Sequence, residues 1–223
     1  ARYLSSLGYD LVIVARRENL LKELKEDLKT NVEIECMDVS QTENCYKLAE
    51  KHPDIDILVN NAGFGKFGEF IETDIQQEIS MVNTNVVGVQ LLTKLYLQKM
   101  QEKNKGYILN VASIAGLLPG GPLMATYYAT KSYIVSMTRS IAEELRIRNS
   151  DVKICALCPG PVNTDFDNVA NVKFSLKGLS SEYVAKYAID KMFKNKKIII
   201  PGKTIKLLAV ISKLSPANIV LYM

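Results

Sequence analysis

Histidine occurs only once in this chain of 223 residues, as His52. A lone histidine excludes a metal site built from several histidines, and it argues against a catalytic triad that depends on a histidine base. The sequence therefore predicts chemistry that needs no bound metal.

Long uninterrupted apolar runs are also missing. The most apolar segment, 205–223, contains Lys206, Lys213 and Pro216 and is too interrupted to cross a bilayer. Charge of one sign is not in large excess either, because 28 basic and 24 acidic side chains leave a net charge of +4. This mild excess gives no strong case for nucleic-acid binding, and the composition predicts an ordinary soluble domain.

Cysteine is scarce, and two of the four cysteines, Cys155 and Cys158, have the spacing of redox and zinc motifs. They lie inside an apolar run that predicts a buried strand. Side chains at positions i and i+3 of a strand point to opposite faces, which suits neither chelation nor a disulfide. We therefore expect buried free thiols in a reducing compartment, and hence a cytoplasmic protein.

Short apolar segments alternate with longer amphipathic ones along the chain. The expected strands are 10–15, 32–37, 55–60, 106–112, 152–158 and 197–201. The expected helices are 18–30, 42–52, 73–102, 126–149 and 181–195. Within 73–102, a stripe predicts one buried face, and its members are Ile75, Ile79, Val82, Val86 and Val89. The alternation predicts an α/β fold with a doubly wound, Rossmann-like parallel sheet, and functional loops at the carboxyl ends of its strands.

We expect a single catalytic domain over residues 1–202, followed by an apolar and basic tail over 203–223. Residues 1–7 resemble the last turns of a helix that Gly8 closes as its C-cap. A doubly wound sheet has a strand and a phosphate-binding glycine loop before such a helix, so we expect the first strand and the glycine-rich loop to be missing from this chain. The long polar stretch 165–178 is the best candidate for a mobile flap.

Tyr127 and Lys131 form the most informative pair, because residues at i and i+4 of a helix share a face. A tyrosine titrates near pH ~10, and a neighbouring ammonium lowers that pKa by stabilising the phenolate. The pair therefore predicts a proton donor and acceptor for a carbonyl or an alcohol. Tyr128 is the competing tyrosine, but it points about 100° away on the helix and has no lysine at i+4.

Other motifs accompany this pair in a fixed order along the chain. They are Asn60-Asn61-Ala62-Gly63, Asn85-Val86-Val87-Gly88, Asn110-Val111-Ala112-Ser113 and Pro159-Gly160-Pro161-Val162-Asn163-Thr164. Together with Tyr127 and Lys131, this set resembles the short-chain dehydrogenase/reductase family from Leu11 to about Pro201. Each motif alone is modest, but their order and spacing make the resemblance strong.

The resemblance implies a role for each residue of the catalytic set. Tyr127 is the acid/base, Lys131 lowers its pKa and binds the nicotinamide ribose, and Ser113 orients the substrate carbonyl. Asn85 kinks its helix and holds a water that relays protons. The residues by themselves also allow a solvated lysine, a capping serine and an asparagine that faces solvent, and Asn83 is the rival of Asn85 within the same turn.

The resemblance also implies the cofactor-binding residues, which follow predicted strands. Asp38 and Val39 contact adenine; Asn61, Ala62 and Gly63 form a turn of little bulk beside the adenosine; and Pro159, Gly160, Val162 and Thr164 belong to a loop that grips the carboxamide. Asp38 has two further interpretations, as a helix N-cap or as a turn residue. The Asn61–Gly63 segment has one, as a plain turn at the end of a strand.

Arg16 and Arg17 follow the first expected strand, where NAD-specific relatives carry an acidic residue for the ribose diol. Guanidinium groups match a 2′-phosphate in both geometry and charge. The sequence therefore predicts NADP as the cofactor, with a solvated charged turn as the alternative interpretation.

These observations predict an NADP(H)-dependent oxidoreductase that interconverts a ketone and a secondary alcohol, and a homo-oligomer. A catalytically silent NADP-binding regulatory protein is the alternative. Apolar loop residues predict a hydrophobic small-molecule substrate, and they are Phe64, Phe67, Ile114, Leu118, Met124 and Phe166. The lysine-rich apolar tail has three interpretations: contact with a membrane surface, a subunit interface, or a cover over an acyl-chain pocket.

Overall fold

The structure, a computed structural model, describes residues 1–164, 170 and 178–221. Its strands β1 to β8 span Leu11–Ala15, Val32–Cys36, Ile57–Asn60, Tyr107–Val111, Lys153–Leu157, Val162–Asn163, Leu179–Ser180 and Ile198–Ile199. Its helices α1 to α9 span Arg2–Ser6, Glu18–Glu26, Thr42–Lys51, Ile75–Val82, Val89–Glu102, Ala125–Ile147, Ser181–Phe193, Lys203–Leu214 and Ala217–Leu221. A π-helical segment, Asn83–Gly88, joins α4 to α5, and a 3₁₀ helix, Ile114–Leu117, follows β4.

Parallel strands build the fold, as the sequence predicts. Strand β1 pairs with β2, and β3, β4, β5 and β8 form a four-stranded sheet in that order. The pairs within the four-stranded sheet are all parallel, so the carboxyl ends of its strands lie along one edge. The expected α/β fold with a doubly wound, Rossmann-like sheet is confirmed. The loops after β3, β4 and β5 therefore meet at one edge of the sheet.

Helices cover both faces of the sheet. On one face, Ile108 and Ile154 pack in a buried cluster with side chains from α3, α5 and α6. On the other face, Leu109 and Cys155 pack with side chains from α1 and α7. Burial on both faces explains why these strands are apolar throughout rather than alternating.

The two cysteines with motif spacing are buried free thiols, as predicted. Cys155 and Cys158 belong to different buried clusters, because strand geometry turns them to different sides. Burial raises the pKa of each thiol to about 12, which keeps both protonated.

The predicted buried stripe is wrong in its first half. Helix α4 exposes Ile75, Ile79 and Val82, and it buries Glu78 and Met81 instead. The carboxylate of Glu78 can be buried because the hydroxyls of two threonines, Thr73 and Thr126, donate hydrogen bonds to it. Apolar periodicity cannot detect a buried acid of this kind.

Four buried polar side chains hold the sheet to the helices behind it. The amide of Asn110, in β4, donates to the Thr138 hydroxyl of α6 at 3.1 Å. Its carbonyl oxygen accepts from Asn60 of β3 at 2.9 Å and from Thr93 of α5 at 3.2 Å. This network fixes α6, which carries Tyr127, against the strands that lead into the site.

Candidate active site

Tyr127 and Ser113 lie together at the carboxyl end of β4. Tyr127 stands near the start of α6, and its side chain is buried. Its phenol shares a hydrogen bond with the side chain of Ser113. The Ser113 hydroxyl also accepts from the backbone N–H of Ala115 at 3.2 Å and so caps the 3₁₀ helix. Ser113 therefore is a capping serine, and at the same time it contacts the tyrosine.

Lys131 lies one turn further along α6, and it is buried rather than solvated. Its Nζ donates to the carbonyl oxygen of Val111 at 2.9 Å and lies 5.8 Å from the centroid of the Tyr127 ring. Burial lowers the pKa of this ammonium from 10.5 to about 8. The interpretation of Lys131 as a surface lysine is wrong.

The pKa of Tyr127 differs from the sequence-based expectation. Burial raises it from 10.0 to about 12, the hydrogen bond from Ser113 works in the opposite direction, and Tyr128 adds to the rise. The cost of burying a phenolate therefore outweighs any stabilisation by Lys131 in this structure, whereas the sequence predicted a lowered pKa. As a consequence, Tyr127 is held in its protonated form, which a proton donor requires.

Asn85 lies in the π-helical segment and is fully buried, so its interpretation as a residue facing solvent is wrong. Its amide oxygen accepts from the Phe64 N–H at 3.0 Å, and its amide nitrogen donates to the Phe64 carbonyl at 2.9 Å. The same nitrogen is 3.1 Å from the hydroxyl of Thr130. The rival Asn83 is only half-buried. The expected distortion of the helix at Asn85 is present as a π-helical turn.

The low-bulk turn of Asn61, Ala62 and Gly63 follows β3 and reaches this cluster. A Cβ atom on Gly63 would lie 2.9 Å from Oδ1 of Asn85 and 3.3 Å from Nζ of Lys131. Glycine is thus required for the close approach between the turn and the catalytic set.

Arg16 and Asp38 meet at the carboxyl ends of β1 and β2. Their closest charged atoms are 3.8 Å apart, and the Arg16 side chain is largely exposed. Asp38 also accepts a hydrogen bond from the Ser40 N–H at 2.9 Å, which confirms its interpretation as a turn residue. Arg17 is exposed at the N-cap position of α2.

Val39 lies against the π-helical segment through its backbone. A Cβ atom on Gly88 would come within 2.4 Å of the Val39 carbonyl oxygen. The turn after β2 and the helix that carries Asn85 are therefore in direct backbone contact.

The loop after β5 is tied to the segment that follows Ser113. The Pro159 carbonyl accepts from the Ile114 N–H at 2.8 Å. Further on, Val162 belongs to the short strand β6, and the Thr164 hydroxyl donates to the Val162 carbonyl at 3.4 Å. The predicted carboxamide-gripping loop thus borders the catalytic set.

A second close approach fixes the segment that follows Ser113 to α6. A Cβ atom on Gly116 would lie 2.4 Å from the carbonyl oxygen of Lys131. Gly116 and Ser113 are therefore both held against the helix that carries Tyr127 and Lys131.

Apolar side chains surround the phenol of Tyr127. Met81, Ala115 and Met124 pack with it, and Phe64 borders the same cluster. Among the other predicted pocket residues, Ile114 and Leu118 are half-buried and Phe67 is exposed. Phe166 and most of the predicted flap 165–178 lie outside the described residues.

Sequence reasoning missed Thr130, which is buried between the catalytic residues. Its hydroxyl donates to the Tyr127 carbonyl at 2.7 Å and contacts the amide of Asn85. A hydroxyl at i+3 from the tyrosine, on the same face of α6, was the available signal.

Comparison with known proteins agrees with the resemblance to short-chain dehydrogenases that the sequence motifs show. A family model described as short chain dehydrogenase matches residues 1–173. The 3-oxoacyl-[acyl-carrier-protein] reductase FabG of Rickettsia prowazekii is 32% identical over 173 residues, which are 78% of this chain and 70% of that protein.

Solved structures share the fold. A short-chain dehydrogenase from Sphingobium yanoikuyae in complex with NADPH superposes with a TM-score of 0.82 at 21% identity, over 96% of this chain and 87% of that one. A short-chain dehydrogenase/reductase from Burkholderia phymatum in complex with NAD gives 0.83 at 24% identity, over 92% and 84%. Both nicotinamide cofactors therefore occur on this fold.

Proposed function

The chain belongs to the short-chain dehydrogenase family of oxidoreductases, and from this premise we propose that it interconverts a ketone and a secondary alcohol with NADP(H). The observation that carries the proposal is the contact between the Ser113 hydroxyl and the buried phenol of Tyr127, with the Lys131 ammonium one turn away. These groups can bind a carbonyl oxygen and protonate it.

In the proposed reduction, Tyr127 donates its proton to the carbonyl oxygen as negative charge develops there. Ser113 donates a hydrogen bond to the same oxygen and stabilises that charge. The bound cofactor supplies the hydride. In the reverse direction, Tyr127 accepts the proton of the alcohol.

The surroundings of Lys131 fit a nicotinamide nucleotide. An ammonium carries three N–H donors, and within the described part of the chain the hydrogen bond of Lys131 goes to Val111. Its other donors match the hydroxyls of a ribose. The missing side chain of Gly63 leaves space beside this nitrogen, where a Cβ atom would come within 3.3 Å.

Arg16 and Arg17 support the choice of NADP over NAD. The exposed guanidinium of Arg16 stands at the carboxyl end of β1 and balances the carboxylate of Asp38. A 2′-phosphate placed there would lie beside this guanidinium, and a planar guanidinium binds phosphate with two parallel hydrogen bonds. Solved structures of this fold include complexes with NADPH and with NAD, so the choice of NADP rests on Arg16 and Arg17.

The apolar cluster around Tyr127 supports a hydrophobic substrate. Phe64, Met81 and Met124 belong to the cluster that packs with Tyr127, so the surroundings of the phenol are apolar. The Rickettsia relative, which is named for a 3-oxoacyl substrate, agrees with a carbonyl carried on an acyl chain.

Residues 1–202 act as the catalytic domain in this proposal, and 203–223 as a tail whose described part, 203–221, packs on that domain. The exposed apolar side chains of α4, with Phe70 and Thr126, line a groove of about 270 Å³, which supports assembly as a homo-oligomer. The buried free thiols support a cytoplasmic location.

The test is turnover of a panel of ketones, followed by loss of NADPH absorbance, in the native protein and in Tyr127→Phe. We expect Tyr127→Phe to lower kcat by about 10²- to 10⁴-fold, with NADPH binding by fluorescence nearly unchanged. Tyr128→Phe is the matched control, because it removes the hydroxyl of the neighbouring tyrosine. We expect this variant to retain activity.

Undiminished turnover by Tyr127→Phe would overturn the assignment of the acid/base. NADPH binding by the native protein without turnover of any ketone would instead indicate the silent regulatory protein.

A further inference from the structure

Helix α8 presents an apolar face away from the protein body. Its buried side chains are Ile205, Ala209 and Ser212. Its exposed apolar side chains are Leu207, Leu208, Val210, Ile211 and Leu214, with Leu214 the most exposed at 83% and Leu208 the least at 38%. One face of α8 is therefore buried against the rest of the protein, and the opposite face is exposed.

The two faces point in opposite directions. At about 100° per residue, the positions of Leu207, Val210 and Leu214 centre roughly 180° from those of Ile205 and Ser212. A helix on the surface of a soluble protein normally turns polar residues to that side. Scattered exposed apolar residues are ordinary, but a continuous stripe of them marks an interaction surface.

Basic side chains accompany this stripe: at about 100° per residue, Lys206 and Lys213 border it on one side, and Lys203 lies on it at the start of α8. Lys203, Lys206 and Lys213 are all exposed, and no aspartate or glutamate follows Asp190 in the sequence. Lys203 and Lys206 stand in the first turns of α8, where the helix dipole disfavours cations. Their position is therefore not explained by the stability of the helix.

The covered face of α8, opposite the stripe, packs on a loop beside the active site. Ile205 packs on Gly160 of the loop after β5, where a Cβ atom would lie 2.6 Å from Ile205 Cδ1. Leu221, at the end of α9, reaches Gly120 in the loop that leads from Ser113 to Tyr127, at 3.1 Å from a Cβ placed there. In α9, Ile219 is exposed as well. Helices α8 and α9 thus lie beside loops that border the catalytic set, and the apolar stripe of α8 is on the side away from these loops.

We propose that α8 and α9 dock this protein on the surface of an anionic lipid bilayer. The apolar stripe enters the boundary between headgroups and acyl chains, and the bordering lysines contact lipid phosphates. Lipid fits better than a second protein chain, because the segment after Asp190 has basic and apolar side chains with no acidic ones, which complements an anionic apolar layer. One consequence rests on the proposed function: the active site receives an amphiphilic carbonyl compound from the bilayer.

Vesicle sedimentation tests the docking. We expect the native protein to bind vesicles of phosphatidylcholine that contain about 30% phosphatidylglycerol, an anionic lipid. Binding to pure phosphatidylcholine should be at least about tenfold weaker, and salt should reduce the difference. The double variant Leu207→Glu/Leu214→Glu should lose binding about tenfold or more, because it puts carboxylates into the apolar stripe. Lys206→Glu/Lys213→Glu should lose the preference for anionic lipid.

Ile147→Glu is the matched control. Ile147 is 66% exposed at the end of α6, so this change adds one carboxylate, where the α8 variant adds two, to an exposed apolar site outside the tail. Thermal melts of all variants establish that each is folded. Vesicle binding that is absent in the native protein, or equal in the α8 variants and in Ile147→Glu, would overturn the proposal.

Two further measurements separate the alternatives. If light scattering shows that Leu207→Glu/Leu214→Glu changes the oligomeric mass while vesicle binding stays, the face is an interface between copies and the docking proposal is wrong. Turnover of a short water-soluble ketone reports on the proposed function alone. We expect the α8 double variant to keep that turnover and to lose rate with a long-chain ketone dissolved in anionic vesicles.

Discussion

The side-chain amide of Asn85 forms two hydrogen bonds with the backbone of Phe64. Its oxygen accepts from the Phe64 N–H at 3.0 Å, and its nitrogen donates to the Phe64 carbonyl at 2.9 Å. This pair of hydrogen bonds fastens the turn that carries Gly63 to the π-helical segment. The cofactor side and the catalytic side of the site are therefore joined through one buried amide.

Asn85→Ala should weaken both folding and cofactor binding. The change leaves the Phe64 N–H and carbonyl without their partner, so we expect the free energy of unfolding in urea to fall by about 2 kcal/mol. The affinity for NADPH should fall as well, because the Gly63 turn loses its anchor. Asn83→Ala, at the half-buried neighbouring asparagine, is the control, and equal losses in the two variants would contradict this role of Asn85.

Arg16→Asp should reverse the preference between the two nicotinamide cofactors. Losing a charge-assisted contact to the 2′-phosphate should raise the Kd for NADPH roughly 10- to 100-fold, with a much smaller change for NADH. Fluorescence titrations with both cofactors measure the difference. Arg148→Asp makes the same change of charge at the end of α6 and should alter neither Kd, while a similar loss for NADPH and NADH in Arg16→Asp would refute the assignment of NADP.

The kcat/KM for NADPH should fall as pH rises through about 8, because the buried ammonium of Lys131 loses its charge there. This parameter reports groups that titrate in the free enzyme, so it is the correct one to plot. Lys131→Arg keeps its charge throughout and should give a lower but flat profile over this range. A native profile that is flat from pH 7 to about 9 would contradict the pKa of Lys131.

The same shift has a consequence for stability. The unfolded lysine keeps its proton up to pH 10.5, while the folded one releases it near pH 8, so unfolding takes up a proton between these values. Rising pH therefore favours the folded state within this window, as far as Lys131 is concerned. The free energy of unfolding of the native protein should rise there relative to Lys131→Met, and a constant difference between the two proteins would show that Lys131 is not buried as described.

Asn110→Ala should destabilise the protein more than an ordinary polar truncation. It leaves the Thr138 hydroxyl and the Asn60 amide with unpaired groups in a buried network, and we expect a loss of roughly 3 kcal/mol in urea unfolding. A double-mutant cycle with Thr138→Ala should show strong coupling, since the two residues share a 3.1 Å hydrogen bond. Simple additivity would mean that the network contributes no cooperative stability.

The strands were predictable because buried parallel strands are apolar without interruption. The fifth strand was expected at 152–158 and is observed at Lys153–Leu157, and the others agree to within a few residues at their ends. The motifs likewise placed Ser113, Tyr127 and Lys131 in one cluster. These successes depend on patterns that are local in sequence.

The failures concern contacts between distant segments. The burial of Glu78 depends on hydroxyls of Thr73 and Thr126, which no helical periodicity contains. The raised pKa of Tyr127 depends on burial by Phe64, Met81 and Met124, which come from separate elements. A sequence can show that a lysine stands beside a tyrosine, but the direction of the pKa shift depends on the whole enclosure.

The contact between Gly116 and the backbone of Lys131 bears on how this protein can acquire new specificities. Ser113 and Gly116 are both held against α6. The stretch from Leu118 to Leu123 therefore connects one fixed position, Gly116, with another, the start of α6. The second half of this stretch is itself packed, because a Cβ atom on Gly121 would lie 2.2 Å from the Tyr128 ring and the Leu123 carbonyl accepts from the Gly68 N–H at 2.8 Å. Exchanges at Leu118 and Pro119 can therefore change which substrates fit while the reacting hydroxyls keep their places.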